Sequence, residues 1–411
     1  MSHSNSLRKP RFPNFLSGES PAQTALALIL LAATAPAGAI EGEPEFGGLP
    51  VDDLTSSVED TTDTEFTGNM MQRLAKNWPP DLVVAPIPGR SPQLGWKLAL
   101  AGGYFLETNK EETARDVPPS IVGGYAMAAE NGSYVFGGGA KFNLLDDKLR
   151  VTTGLGYADI RYRFYGIGNN AEASGLDLDI LQDGHMFFAE GSWRLWRSLF
   201  VGVGYTSGQL DTRARLGDQI LPGQFNPTLS LDIGAFTIPI KVDSRDDEQF
   251  PREGWLVSGR GVFYRESVGS DFETETFKLA VNHYMPVRET DVLASRFVIR
   301  TTSDNAPFFI LSTFGGAKDL RGYPSGRYRD RMMYAMQTEY RWHVTDRWVL
   351  TGFAGVGEVA ERFSDFGENF LPAAGVGARF VLSQKHHVSL SADIAVGNDG
   401  TEFYFGVGEA F

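Results

Sequence analysis

The sequence predicts an all-β chain, a transmembrane antiparallel β-barrel of about sixteen strands. Three observations carry this. Aromatic residues make up 12% of the 411 residues and glycine occurs 47 times, a composition of short strands and tight turns rather than helices. From Leu82 onward, segments of about ten residues alternate between apolar and polar positions. Short and long connections fall on opposite sides of the predicted wall, as they do in outer-membrane barrels.

The N-terminus reads as a secretory signal over residues 1–39. Arg8, Lys9 and Arg11 precede the apolar run Ala25 to Ala33, and the small residues Ala37-Gly38-Ala39 mark the cleavage site. That run is shorter than the roughly 20 residues a membrane-spanning helix needs, and no later stretch reaches that length without charges or glycines. Residues 40–81 are acidic and rich in Pro, Gly, Ser and Thr, which predicts a disordered periplasmic segment. The barrel domain is expected over 82–411.

Its predicted strands are 82–89, 94–106, 119–129, 133–144, 147–164, 177–196, 198–210, 229–243, 253–266, 272–286, 290–302, 331–344, 347–357, 372–384, 386–397 and 401–411. The clearest runs from Tyr334 to His343. Tyr334, Met336, Thr338, Tyr340 and Trp342 share one face, and Gln337, Glu339, Arg341 and His343 the other. One face suits lipid, the other a hydrated lumen. Phe236, Ile238, Ile240 and Val242 against Thr237, Lys241 and Asp243 show the same split. Alternation alone also fits a soluble sandwich, but the loops argue otherwise. With both termini periplasmic, Leu145-Asp146-Asp147, Arg197-Ser198, Thr345-Asp346 and Ser383-Gln384-Lys385 turn on the periplasmic side, while 165–176, 211–228, 303–330 and 358–371 lie outside. The connection near 107–118 is longer than this rule predicts. Trp196, Trp255, Tyr284, Trp342 and Trp348 fall beside periplasmic turns, where an aromatic girdle meets the headgroups. The last predicted strand ends on Phe411, which resembles the sorting signal of barrels delivered to the outer membrane. Glu409 departs from that signal and is expected at the periplasmic rim, where a charge costs little.

The lack of cysteine excludes thiolate metal sites, disulfides and cysteine nucleophiles. The net charge of -14 argues against nucleic acid, whose phosphates require a basic face. His386-His387 has no further ligands nearby, so no metal is expected. His283 beside Asn282 raises an outer-wall lipid hydrolase, but no nucleophile motif accompanies it. Gly137-Gly138-Gly139 lies within a strand with no following helix, so it reads as small wall residues rather than a phosphate loop. Arg194, Lys241, Arg260, Arg296 and Arg300 are expected to face the lumen with Glu190, Asp243 and Glu339. Neither an enzyme nor a cofactor is expected.

Three segments resemble the BamA/TamA (bacterial surface antigen) family. The most specific is Val242-Asp243-Ser244-Arg245-Asp246 followed by Phe250-Pro251-Arg252-Glu253-Gly254-Trp255, similar to the family's periplasmic hairpin. Pro251 and Gly254 would shape the turn, with Asp243, Arg245 and Asp246 pairing at the lumen rim. The second is Gly315-Gly316-Ala317-Lys318-Asp319-Leu320-Arg321-Gly322-Tyr323, similar to the tip of the family's sixth external loop, which folds into the lumen. The resemblance implies that Arg321 is held there by wall acids, with Glu339 at one such position. The family's other acid lies in an F-x-D-x-G strand, where this chain has Phe353-Ala354-Gly355-Val356-Gly357. Gly355 stands in place of the aspartate. Phe164-Tyr165-Gly166-Ile167-Gly168-Asn169-Asn170 resembles a loop of barrel-only relatives.

The resemblance implies a barrel-only member without POTRA repeats, resident in the outer membrane of a double-membraned bacterium. Outer-membrane lipid and lipopolysaccharide would surround it, the barrel assembly machinery would serve its biogenesis, and there is room for a separate periplasmic partner. It further implies a gated transport or insertion component. A passive diffusion pore or surface-structural barrel is the alternative, and the lipid hydrolase a weaker one.

Overall fold

In the computed structural model, the described residues are 81–411, apart from 92–93, 107–116, 169–177, 217–218, 221–228, 249 and 384–387. The expected signal and acidic segments lie outside them, as do His386 and His387. In chain order the strands are β1 (Leu82–Ser91), β2 (Gly95–Leu106), β3 (Ser120–Ala129), β4 (Tyr134–Leu144), β5 (Leu149–Phe164), β6 (Leu178–Trp196), β7 (Leu199–Leu216), β8 (Gln219–Ile220), β9 (Leu229–Asp243), β10 (Gly254–Tyr264), β11 (Thr274–Pro286), β12 (Val292–Thr302), β13 (Ser312–Phe314), β14 (Tyr328–Asp330), β15 (Met332–His343), β16 (Trp348–Ala360), β17 (Leu371–Ser383), β18 (Val388–Gly397) and β19 (Gly400–Val407). One sheet holds seventeen strands, and since β8 is a two-residue extension beside β7, sixteen of them form the wall. Strands β13 and β14 make a separate small hairpin.

Each wall strand pairs antiparallel with the next wall strand along the chain, from β1–β2 through β7–β9 and β12–β15 to β18–β19. Among the described residues no ladder joins β1 to β19, although the two lie side by side. Apolar side chains, Val83 and Val407 among them, fill this seam. The barrel is therefore nearly closed, with one junction lacking the hydrogen bonds that hold every other.

Lipid explains the exposed surface. Phe136, Leu155, Val203, Ile240, Met336 and Val376 project outward, apolar area that water would penalise and hydrocarbon accepts. The inward register of the same strands carries Gln337, Glu339, Arg341, Arg379 and Asp393, all buried. Trp196, Trp255, Trp342 and Trp348 are exposed at the periplasmic rim, but Tyr284 is not part of that girdle. It occupies the inward register of β11 and packs with Val292, Ala294 and Phe411 inside the barrel. Arg260 pairs with Glu190 across the lumen side of the wall at 2.7 Å.

Two strand ends differ most from the predicted pattern. Strand β7 continues past residue 210 to Leu216. Strand β19 stops at Val407, because Gly408 adopts φ 90° and its N–H closes onto the Ser389 carbonyl at 2.7 Å. The tail then turns inward, so Phe411 is inside rather than on the wall, and Glu409 meets Arg379 and Arg341 instead of the rim.

Candidate functional site: a loop held inside the barrel

The connection between β12 and β15 carries β13 and β14 and folds back into the lumen, burying Asp319, Leu320, Arg321 and Tyr323. A loop that leaves water must satisfy its polar groups internally. Arg321 has no exposed surface, and its guanidinium forms an ion pair with Glu339 Oε2 and donates a hydrogen bond to Asp393 Oδ2, each at 2.7 Å. Its Nε and backbone N–H both donate to Gln337 Oε1 at 3.3 Å. The plane lies over the Phe353 ring, 3.4 Å from its centroid. One side chain thus reaches β15, β16 and β18, using the fork geometry that lysine lacks.

The surrounding charges balance. Glu339 also accepts from Arg341 at 2.8 Å and from Arg379 at 3.3 Å. Asp393 also pairs with Arg379, and Glu409 with Arg341 and Arg379 at 3.3 and 3.2 Å. Arg321, Arg341 and Arg379 therefore face Glu339, Asp393 and Glu409. Buried charges are tolerated when each is paired and hydrogen-bonded, and here each residue has at least one hydrogen bond to an opposite charge.

Asp393, on β18, takes the place expected for an aspartate on β16. The reason is steric. A Cβ at Gly355 would sit 2.4 Å from the Met336 carbonyl oxygen and 2.7 Å from Leu320 Cδ1. Leu320, fully buried, fills the space that the missing side chain leaves. The loop packs an aliphatic group against β16 and finds its second carboxylate two strands further on.

Further contacts fix the rest of the loop. Asp319 pairs with Arg296 at 2.9 Å and Arg300 at 2.7 Å on β12. Burial alone would raise its carboxyl, but the charges of Arg300, Arg296 and Lys278 overcome this and hold it well below the usual range. Gly322 needs φ 115°, and its N–H donates to the Tyr404 hydroxyl at 2.8 Å. Tyr404 in turn donates to the Tyr323 carbonyl at 3.2 Å, and the Tyr323 hydroxyl donates to the Pro372 carbonyl at 2.7 Å. On the far wall, Gly168 N–H donates to Arg329 O at 2.7 Å, and Arg329 lies over Phe164 at 5.2 Å. The segment Phe164 to Gly168 thus touches the internal loop, while Asn169 and Asn170 lie outside the described residues.

At the periplasmic end, Asp243 accepts two hydrogen bonds from the Arg245 guanidinium, at 2.9 and 3.0 Å. Asp246 caps the turn, accepting the N–H groups of Arg252 at 2.9 Å and Glu253 at 3.1 Å. Gly254 has φ 106°, and a Cβ there would lie 2.3 Å from the Ser244 carbonyl oxygen. Pro251 is buried. His283 lies on the outer wall, stacked on Trp255 at 4.0 Å, whereas Asn282 points inward. Among the described residues no group of His, Cys, Asp and Glu could hold a metal ion.

These elements coincide with a known family. A family model described as the Omp85 superfamily domain matches residues 198–411, just over half of the chain, from β7 to the tail. The chain belongs to the Omp85 superfamily. Solved barrels of similar fold include BamA from Haemophilus ducreyi lacking POTRA domains 1–3, with TM-score 0.50, 12% identity, and coverage of 87% of this chain and 80% of that one. CdiB from Escherichia coli gives TM-score 0.54 at 13% identity, covering 80% of this chain and 62% of that one. CdiB from Acinetobacter baumannii gives 0.50 at 11%, covering 87% and 71%. No curated protein sequence matches the chain. At these identities the likeness is one of fold. The Omp85 assignment places the chain in the outer membrane and identifies its apolar outer face as the lipid-facing surface.

Proposed function

We propose that this Omp85 barrel is a gated transport or insertion component, and that the Arg321 loop is its gate. The observation that carries this reading is the distribution of the loop's anchors. They reach β12 through Asp319, β15, β16 and β18 through Arg321, and β17 and β19 through Tyr323 and Gly322. The loop therefore occupies the lumen and at the same time holds the strand beside the unladdered seam. Releasing it would free the lumen and loosen that seam together. A diffusion pore has no need of a charge-balanced plug fastened to six wall strands.

Phe411, tucked against Tyr284 and Val292, supports a role as a sorting signal only if the tail is extended during biogenesis and folds inward afterwards. As the partners of such a protein we propose the barrel assembly machinery during its insertion and a separate periplasmic protein that delivers a client.

The test is single-channel recording of refolded protein in planar bilayers. The gated reading expects a wild type that is mostly closed with rare, fluctuating openings, and more frequent openings in Arg321→Ala. A large, steady wild-type conductance would favour the passive pore.

A further inference from the structure

We propose that the turn between β9 and β10 is a strap across the periplasmic mouth, a second closure in series with the Arg321 loop, pinned by Glu248. The inference rests on reading the lumen as the conduit. A hairpin turn of a wall normally stays beside its own strands, and this one does not. Glu248 reaches the inward register of β4 and β5, a quarter of the way round the wall, pairing with Lys141 Nζ at 2.6 Å and Arg150 Nη1 at 2.8 Å. Two residues on, Phe250 packs edge-on against His343 of β15, with ring centroids 5.4 Å apart. Counted around the wall, β4 and β15 are half a circumference apart, and the turn springs from the strands midway between them.

The turn is built to be stiff. Asp247 accepts the Phe250 N–H at 2.7 Å, and Arg245 donates to the Glu248 carbonyl at 3.3 Å. Arg252 ties its far edge to the Glu289 carbonyl in the next periplasmic turn. Burial would raise the Glu248 carboxyl, yet Lys141, Arg150 and Lys241 hold it well below the usual range, so the pin stays charged. All the anchors lie at the periplasmic ends of their strands. The internal loop makes its contacts through other residues, so neither closure needs the other.

The chain contains no cysteine, so a single reporter is clean. Thr152 lies on the inward register of β5, two residues deeper than Arg150. The experiment is labelling of Thr152→Cys by a membrane-impermeant maleimide, with the otherwise intact chain in lipid nanodiscs. Labelling is expected to be slow with the native strap and about tenfold faster or more with Glu248→Lys, because removing one partner strands the buried charges left behind. Adding Lys141→Glu to Glu248→Lys should slow it again. Equal rates with and without Glu248→Lys would overturn the strap and leave the loop gate standing. A rise that the second charge does not reverse would also overturn it, since that is the mark of a damaged barrel. If the labelling contrast appears but the Arg321→Ala, Glu248→Lys double variant passes no current, the strap stands and the conduit reading falls.

Discussion

Replacing Arg321 with alanine removes two ion pairs, the side-chain hydrogen bond to Gln337 and a ring contact from a site with no solvent access. The magnitude follows from what remains. Glu339 keeps Arg341 and Arg379, and Asp393 keeps Arg379, so neither acid is left wholly unpaired. Three acids then face two arginines, and one negative charge is uncompensated. Breaking a buried pair by removing one partner costs roughly 3–5 kcal/mol, and the remaining arginines place this case near about 3. At about 1.4 kcal/mol per factor of ten, loop docking weakens by about two orders of magnitude. Hydrogen exchange of the backbone around Gly322 reads this directly, because its N–H is held by Tyr404 in the docked loop. Protection there should fall about a hundredfold in Arg321→Ala while the β5–β6 ladder is unchanged. Unchanged protection at Gly322 would refute the assignment of Arg321 as the anchor.

Gly355→Asp, which restores the family's aspartate on β16, should not rescue Asp393→Ala. It forces Leu320 aside at a cost of roughly 1–3 kcal/mol and should lower the denaturation midpoint of the refolded barrel. Glu409→Gln should free the tail from Arg341 and Arg379, a loss of about 1–3 kcal/mol read as faster carboxypeptidase trimming of Phe411. Because the Asp319 carboxyl is held below its ordinary 3.8, its contribution to docking is complete above that value and is lost only as pH falls through the lower folded value. Protease access to the loop should therefore be flat from about pH 8 to 5 and rise only in stronger acid; a rise near neutral pH would contradict the pairing with Arg296 and Arg300.

The wall was legible because lipid covers one face and the lumen the other, which imposes a two-residue period on every strand. Strand ends mostly agree to within two residues, as between predicted 331–344 and observed Met332–His343. The exceptions arise where loops or the tail alter the pairing. Tyr284 is an aromatic near a turn, like Trp342, and only the register of β11 shows that it faces inward. The positions of Arg321 and Glu339 could be anticipated because both lie in recognisable segments. Asp393 could not, since its partnership depends on which strands the loop reaches across the lumen. It did leave a trace, as the only charge in Val388–Gly397, and Arg379 is likewise the only charge in Leu371–Ser383. A lone charge in an apolar wall strand is a signal to seek a buried partner. Glu358 shows the limit of register reasoning. It falls on the lipid-facing set of β16, yet the N–H groups of Gly367, Glu368 and Asn369 in the following loop cover it at 2.8, 3.1 and 2.8 Å.

The central claim, that the arginine fork holds a plug inside this Omp85 barrel, is tested most directly by recording wild type, Arg321→Lys and Arg321→Ala side by side in planar bilayers. The account predicts a mostly closed wild type, with openings more frequent in Arg321→Lys and most frequent in Arg321→Ala, because lysine keeps the charge but cannot reach Glu339 and Asp393 at once. The same opening frequency in all three would contradict it.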